Sequence, residues 1–295
     1  MPLDPQVLAA ISDLELVARV LVDGTVSGLH RSPFHGYSAE FHQYRHYRPG
    51  DDLKYVDWKL FARTDRLHTK QYRETTNMVA QMAIDTSGSM AYAGSHGISK
   101  LAYARMLAAA LAGLISRQGD AVGCVLYGDG LRRYIAARAG APHLRELLIA
   151  LATIEATGGT AAATGIARAI DLMRRRGLLV IVSDLYEEDD AIERELTRAV
   201  RIGHEVALFH VLSPDEIEFP FGGDTEFVDL ETARTLVGSP GALAQAYRRD
   251  VADFIERWRG RCAAQGIDYV YARTDLPLEA VLRGYLLGRV GRRSR

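Results

Sequence analysis

Cysteine is scarce in this chain. Its 295 residues include only Cys124 and Cys262, too few for a disulfide framework, so a reduced, cytoplasmic setting is expected. Long apolar runs are missing as well. A membrane-spanning helix needs roughly 18 apolar residues, and the best stretches, 107–115 and 178–182, are far shorter. The start of the chain carries Asp4 and Asp13, where a secretory signal would place lysine or arginine. The expectation is a soluble protein without a membrane span. No single sign of charge dominates either: 36 Lys and Arg stand against 37 Asp and Glu, a net charge of -1. No global field draws the chain to nucleic acid or to an anionic membrane.

Motifs of common chemistries are absent too. There is no Gly-x-Ser-x-Gly elbow, no Walker A loop and no Gly-x-Gly-x-x-Gly after the first strand. Neither cysteine is placed with a histidine partner. These gaps argue against a serine hydrolase, a P-loop NTPase, a dinucleotide-binding enzyme and a thiol enzyme.

What is present is alternation. Strand-like runs at 78–84, 121–127, 131–137, 178–183, 205–212 and 267–272 are interleaved with helix-like segments at 100–117, 143–154, 161–175, 191–202 and 242–265. Continuous apolar strands separated by helices predict a parallel sheet covered on both faces. Gly128-Asp129-Gly130 predicts a hairpin that adds one antiparallel edge strand. The fold class is α/β, a doubly wound, Rossmann-like, mostly parallel sheet over 77–273.

Residues 1–76 form an N-terminal appendage. It has a helix over 8–22, in which Ser12 and Glu15 are spaced as in a capping box. Then comes a polar stretch, 30–73, expected to lie along the α/β domain. There Asp51, Asp52 and Asp57 would pair with Arg45, Arg48 and Arg63, with Trp58 as apolar anchor. His35, His42 and His46 suit zinc only if the segment is helical, and no cysteine joins them. Residues 274–295 read as a short helix with a basic end, Arg289, Arg292, Arg293 and Arg295, expected to be solvated. Residues 219–237 read as an inserted loop and small hairpin of no assigned role.

In an open α/β sheet, ligands bind beyond the carboxyl ends of the strands, where the strand order reverses. For the order 3-2-1-4-5-6, that point lies between the strands at 78–84 and 178–183. Each delivers an aspartate there, Asp85 and Asp184. Two carboxylates in one crevice repel unless a cation lies between them or one is protonated. Asp85-Thr86-Ser87-Gly88-Ser89 offers three side-chain oxygens from one loop, and Thr160 in Thr157-Gly158-Gly159-Thr160 offers another. Such a donor set suits Mg²⁺ or Mn²⁺ and not zinc. Each element also has a plain reading: a serine-rich turn, a threonine N-cap and a strand-end aspartate capping the next helix.

Together, Asp85, Ser87, Ser89, Thr160 and Asp184 resemble the metal-ion-dependent adhesion site of von Willebrand factor A domains. That resemblance implies ion coordination by these five residues, directly or through water, and an open position filled by a partner's carboxylate. Gly36-Tyr37-Ser38-Ala39-Glu40-Phe41, Tyr44-Arg45-His46-Tyr47-Arg48-Pro49-Gly50-Asp51-Asp52, Val56-Asp57-Trp58, Ala62-Arg63 and Lys70 are similar to the signature of the bacterial domain of unknown function 58 family. This likeness implies a non-enzymatic interaction module, an adaptor or chaperone-like partner of a MoxR-type AAA+ ATPase or of its client. The alternatives are a metal-assisted hydrolase with Asp184, or a residue brought in by the appendage, as general base, and a scaffold with a vestigial site.

Overall fold

A computed structural model of the chain describes residues 5–26, 39–74, 78–187, 189–223, 225–238, 241 and 243–293. It divides into two compact units, 34–78 and the remainder.

The larger unit begins with helix α1 (Pro5–Val26). By sequence α1 goes with the appendage, yet it packs on helices of this unit through Ile11, Leu14 and Ala18, one buried helical face. Ser12 lies well inside α1, so it caps nothing and the capping-box expectation fails.

The smaller unit is built on β1 (Ala39–His46) and β2 (His68–Glu74), paired antiparallel with a bulge between Phe41 and Gln43. Between them runs α2 (Trp58–Thr64). The three aspartates are paired within the unit, but of the expected arginines only Arg45 takes part. The other two partners are lysines, and Arg48 and Arg63 form no ion pair among the described residues. Arg45 holds both oxygens of Asp51 at 2.8 and 2.9 Å, and Lys70 reaches Asp57 at 3.1 Å. Asp52 pairs with Lys54. The anchor is not Trp58, which is 56% exposed, but the buried Val56, bridged to Thr69. The strand geometry of β1 also removes the zinc argument: residues i and i+4 lie about 13 Å apart on a strand, twice their helical separation. His35 and Gly36-Tyr37-Ser38 lie outside the described residues.

Asp57 caps α2, accepting from the Lys59 and Leu60 amides at 3.0 Å. The Leu60 amide, then the Tyr44 hydroxyl and Lys70, hold its carboxyl well below the usual range. A depressed carboxyl contributes fully above the unfolded carboxylate range and loses its contribution as pH falls through the folded value. Asp57→Ala is therefore expected to speed amide exchange at Lys59 and Leu60 near neutral pH. The gap from wild type should narrow in acid. Unchanged exchange at neutral pH would show that the cap is dispensable.

The central sheet starts with β3 (Val79–Asp85). It continues through α3 (Lys100–Arg117), β4 (Ala121–Tyr127), β5 (Leu131–Arg138), α4 (Ala141–Thr153), α5 (Ala162–Leu172), β6 (Leu178–Ser183), α6 (Asp189–Arg201) and β7 (Glu205–Leu212). After a short α7 (Pro214–Glu218) comes a separate hairpin, β8 (Thr225–Val228) and β9 (Thr235–Gly238). The chain closes with α8 (Ala244–Ala264), β10 (Asp268–Arg273) and α9 (Leu278–Arg293).

The spatial order is β10-β7-β6-β3-β4-β5. All neighbours are parallel except β4 with β5. Counted along the chain within this sheet, that is 3-2-1-4-5-6. Side chains alternate across it. Ala83, Leu179 and Leu208 join Ile166 of α5, Leu196 of α6 and Trp258 of α8 in one core. Phe209 points the other way and meets Tyr285 of α9 edge-on, ring centroids 5.2 Å apart. Strands buried on both faces need continuous apolar sequence, and every residue of β6 is buried.

Two differences from the sequence reading bear on the packing. α5 stops at Leu172, ahead of the like-charged run Arg174-Arg175-Arg176. In α9, Arg289 is buried and paired with Glu205 and Asp268, so it is a structural clamp and not part of a solvated tail. No helix among the described residues is long and apolar enough to cross a membrane.

Candidate metal centre

β3 and β6 lie side by side where the strand order reverses, with Ile84 opposite Val182. Asp85 is the last residue of β3, and Asp184 follows the last residue of β6. Both are 1% exposed. Burial, and then the charge of Asp184, push the Asp85 carboxyl up to about 7. Two carboxylates thus share a low-dielectric crevice at the place where a ligand is expected.

The Asp85 loop is tightly ordered. The Ser87 amide donates to Asp85 Oδ1 at 2.9 Å and the Ser183 hydroxyl to Oδ2 at 2.8 Å. Ser87 Oγ and Ser89 Oγ are 3.0 Å apart. Neighbouring oxygens on an octahedral ion with bonds of 2.0–2.1 Å lie about 2.9 Å apart, so this pair has the spacing of two adjacent ligands.

The loop carrying Thr160 is stitched to the Asp85 loop. The Gly88 amide donates to Gly158 O at 2.8 Å, and the Thr157 amide to Thr86 O at 3.1 Å. Arg132 of β5 clamps both loops, donating to the carbonyls of Thr86, Glu155 and Thr157. Gly88 must be glycine here. A Cβ would strike the carbonyl oxygens of Leu230 and Gly158.

The helix-cap readings do not account for the side chains, although the two serine hydroxyls are hydrogen-bonded to each other. Ser87 precedes a short 3-10 turn, Gly88–Ala91, but makes no side-chain cap bond. Thr160 is not the N-cap of α5. That position is Ala161, and Thr160 Oγ1 is buried without a partner. Asp184 does not cap α6. Its Oδ1 accepts from the Tyr186 amide at 3.4 Å, and Oδ2 accepts from Lys100. The residue after it, Leu185, is buried with φ +60°. A left-handed non-glycine residue costs roughly 1–2 kcal/mol, and such strain gathers at functional sites.

Sequence reasoning missed Lys100. Its ammonium is fully buried and lies 2.8 Å from Asp184 and 2.5 Å from Glu216 of α7. Burial pulls its pKa down, yet the two carboxylates outweigh burial and keep it charged. A signal existed. Lys100 heads α3, where a cation opposes the helix dipole, and it precedes a helix of alanine and leucine. One ammonium is thus shared by Asp184 and Glu216, and Asp85 stands beside them with no cationic partner of its own among the described residues.

The donor set fits a hard divalent ion: carboxylates, hydroxyls and an orphaned buried threonine oxygen. Among the described residues, no group of three or more His, Cys, Asp or Glu is placed to hold a metal, which fits zinc poorly.

Comparisons with known proteins come from sequence and from structure. The chain is 32% identical over 262 residues to the uncharacterized protein Rv1480 of Mycobacterium tuberculosis, covering 84% of this chain and 81% of that protein. The uncharacterized protein Mb1516 of Mycobacterium bovis gives the same figures. Among solved structures, BatB from Bacteroides thetaiotaomicron is similar with a TM-score of 0.48 and 17% identity, over 72% of this chain and 99% of BatB. The SpRpn10 VWA domain is similar with a TM-score of 0.43 and 12% identity, over 70% of this chain and 94% of that domain. The model of the family described as Protein of unknown function DUF58 matches residues 43–256, and the chain belongs to that family.

Proposed function

We propose that this protein is an interaction module that holds one Mg²⁺-class ion, Mg²⁺ or Mn²⁺, at Asp85, Ser87, Ser89, Thr160 and Asp184. Through that ion it binds a carboxylate of a partner protein. The observation that carries the reading is the pair of serine hydroxyls 3.0 Å apart beside buried Asp85 at the switch point of the sheet. Hydroxyl ligands, and an Asp184 already engaged by Lys100, leave a bound cation short of negative charge, and a partner's Asp or Glu supplies it. The partner in this reading is a MoxR-type AAA+ ATPase or its client, in the cytoplasm. Two buried free thiols, Cys124 and Cys262, suit that reducing setting.

The hydrolase alternative asks Asp184, or a residue of the appendage, to act as a general base, and Asp184 is the one the site itself supplies. Its carboxylate is already engaged by Lys100 and the Tyr186 amide, which favours binding over catalysis. The test is titration of the metal-free protein with Mn²⁺ by calorimetry. One ion per chain is expected. No heat of binding at any concentration up to the millimolar range would sink the proposal.

A further inference from the structure

The hairpin of β8 and β9, a segment whose sequence suggested no role, ends in a turn that reaches the candidate metal centre. The Leu230 carbonyl sits against Gly88. Next to it, Glu231 Oε2 accepts from the Thr160 amide at 3.2 Å, while Glu231 Oε1 is buried with no partner. Thr160 Oγ1 is the other orphan of the same neighbourhood. A buried carboxylate oxygen without a donor is costly, and here it stands beside a residue of the proposed ion site.

The turn is built to hold that carboxylate in place. Asp229 accepts from the amides of Glu231 and Thr232 at 2.8 and 3.1 Å and from the Thr232 hydroxyl at 2.6 Å. The Asp229 amide donates to Arg234 O and the Ala233 amide to Asp229 O, each at 2.8 Å. Ala233 takes φ +57° to close the turn. Five hydrogen bonds and one strained residue fix a turn whose Leu230 is exposed, while Glu231 points inward.

We propose that Glu231 is an internal carboxylate ligand of this centre: its side chain swings from the Thr160 amide onto a bound ion, into the position a partner's carboxylate would fill. Among the described residues no third carboxylate stands with Asp85 and Asp184 beforehand. The inference rests on the adhesion-site reading and deepens it. A partner's Asp or Glu competes with Glu231, so engagement requires the turn to withdraw from Thr160. The hairpin is then a built-in brake on partner capture.

The test is Mn²⁺ titration calorimetry on the full chain at constant ionic strength, with sodium acetate or with sodium chloride. Wild type, Glu231→Ala, Glu231→Gln and Asp85→Ala are compared, with circular dichroism to verify folding. Wild type is expected to bind Mn²⁺ equally in both salts. Glu231→Ala should bind about tenfold or more weakly in chloride, and acetate should restore much of the loss by filling the emptied position. Glu231→Gln keeps the shape of the side chain and should weaken binding as well, so the test survives a misfolded alanine variant. Glu231 variants with wild-type affinity and no acetate response would overturn the internal-ligand proposal while leaving the ion site standing. If wild type takes up no Mn²⁺, the ion site itself fails and the internal ligand with it.

Discussion

Lys100→Met is expected to destabilise the protein by about 3–5 kcal/mol, the usual cost of removing one partner from a buried ion pair. The Nζ atom is shared by Asp184 and Glu216 and lies 4.7 Å from the centre of the Tyr186 ring. Methionine fills much the same space, so the loss isolates the charge. Two buried carboxylates would face each other without a counterion. The partners are not equivalent: burial raises the Glu216 pKa in spite of Lys100, so the ammonium does not fully offset its desolvation. Glu216→Gln added to Lys100→Met should therefore return part of the stability. Urea denaturation at pH 7 measures both. A Lys100→Met protein within about 1 kcal/mol of wild type would show that the ammonium is not the counterion of the crevice.

Asp85→Ala is expected to act in the opposite sense. It removes a carboxylate whose ionised form is disfavoured by burial and by Asp184, so the fold without divalent ions should be no less stable than wild type. What it should lose is stabilisation by ligand. A wild-type protein in Mg²⁺ at 100 times its dissociation constant gains about 2.7 kcal/mol, and Asp85→Ala should gain none. Thermal unfolding with Mg²⁺ and with EDTA reads this directly. An equal Mg²⁺ shift in both proteins would move the ion away from Asp85.

The contrast between these two residues shows what sequence conveys and what it hides. β4, β6 and β7 lie where their apolar runs predict them, because a strand buried on both faces has no freedom in composition. The pairing of Asp85 with Asp184 follows from the same logic: once the strand order is 3-2-1-4-5-6, both strand ends must meet. Lys100 and Glu231 approach the centre from other elements, 84 and 71 residues from Asp184 and Thr160 respectively. No periodicity encodes such contacts. The 34–78 unit was hard to read for another reason. Among its described side chains, Arg45–Asp51 and Lys70–Asp57 pairs and helix caps stand out, and no periodicity marks them. Trp58 misled because size suggests burial, whereas its position as first residue of a capped helix leaves it exposed.

The central claim is that an ion held at Asp85 joins this protein to a partner's carboxylate. Its most direct test is retention of a purified MoxR-type AAA+ ATPase from the same genome on immobilised protein, in four arms: wild type and Asp85→Ala, each with Mg²⁺ and with EDTA. The account predicts retention by wild type with Mg²⁺ and in no other arm. Equal retention in all four, or in none, would contradict it.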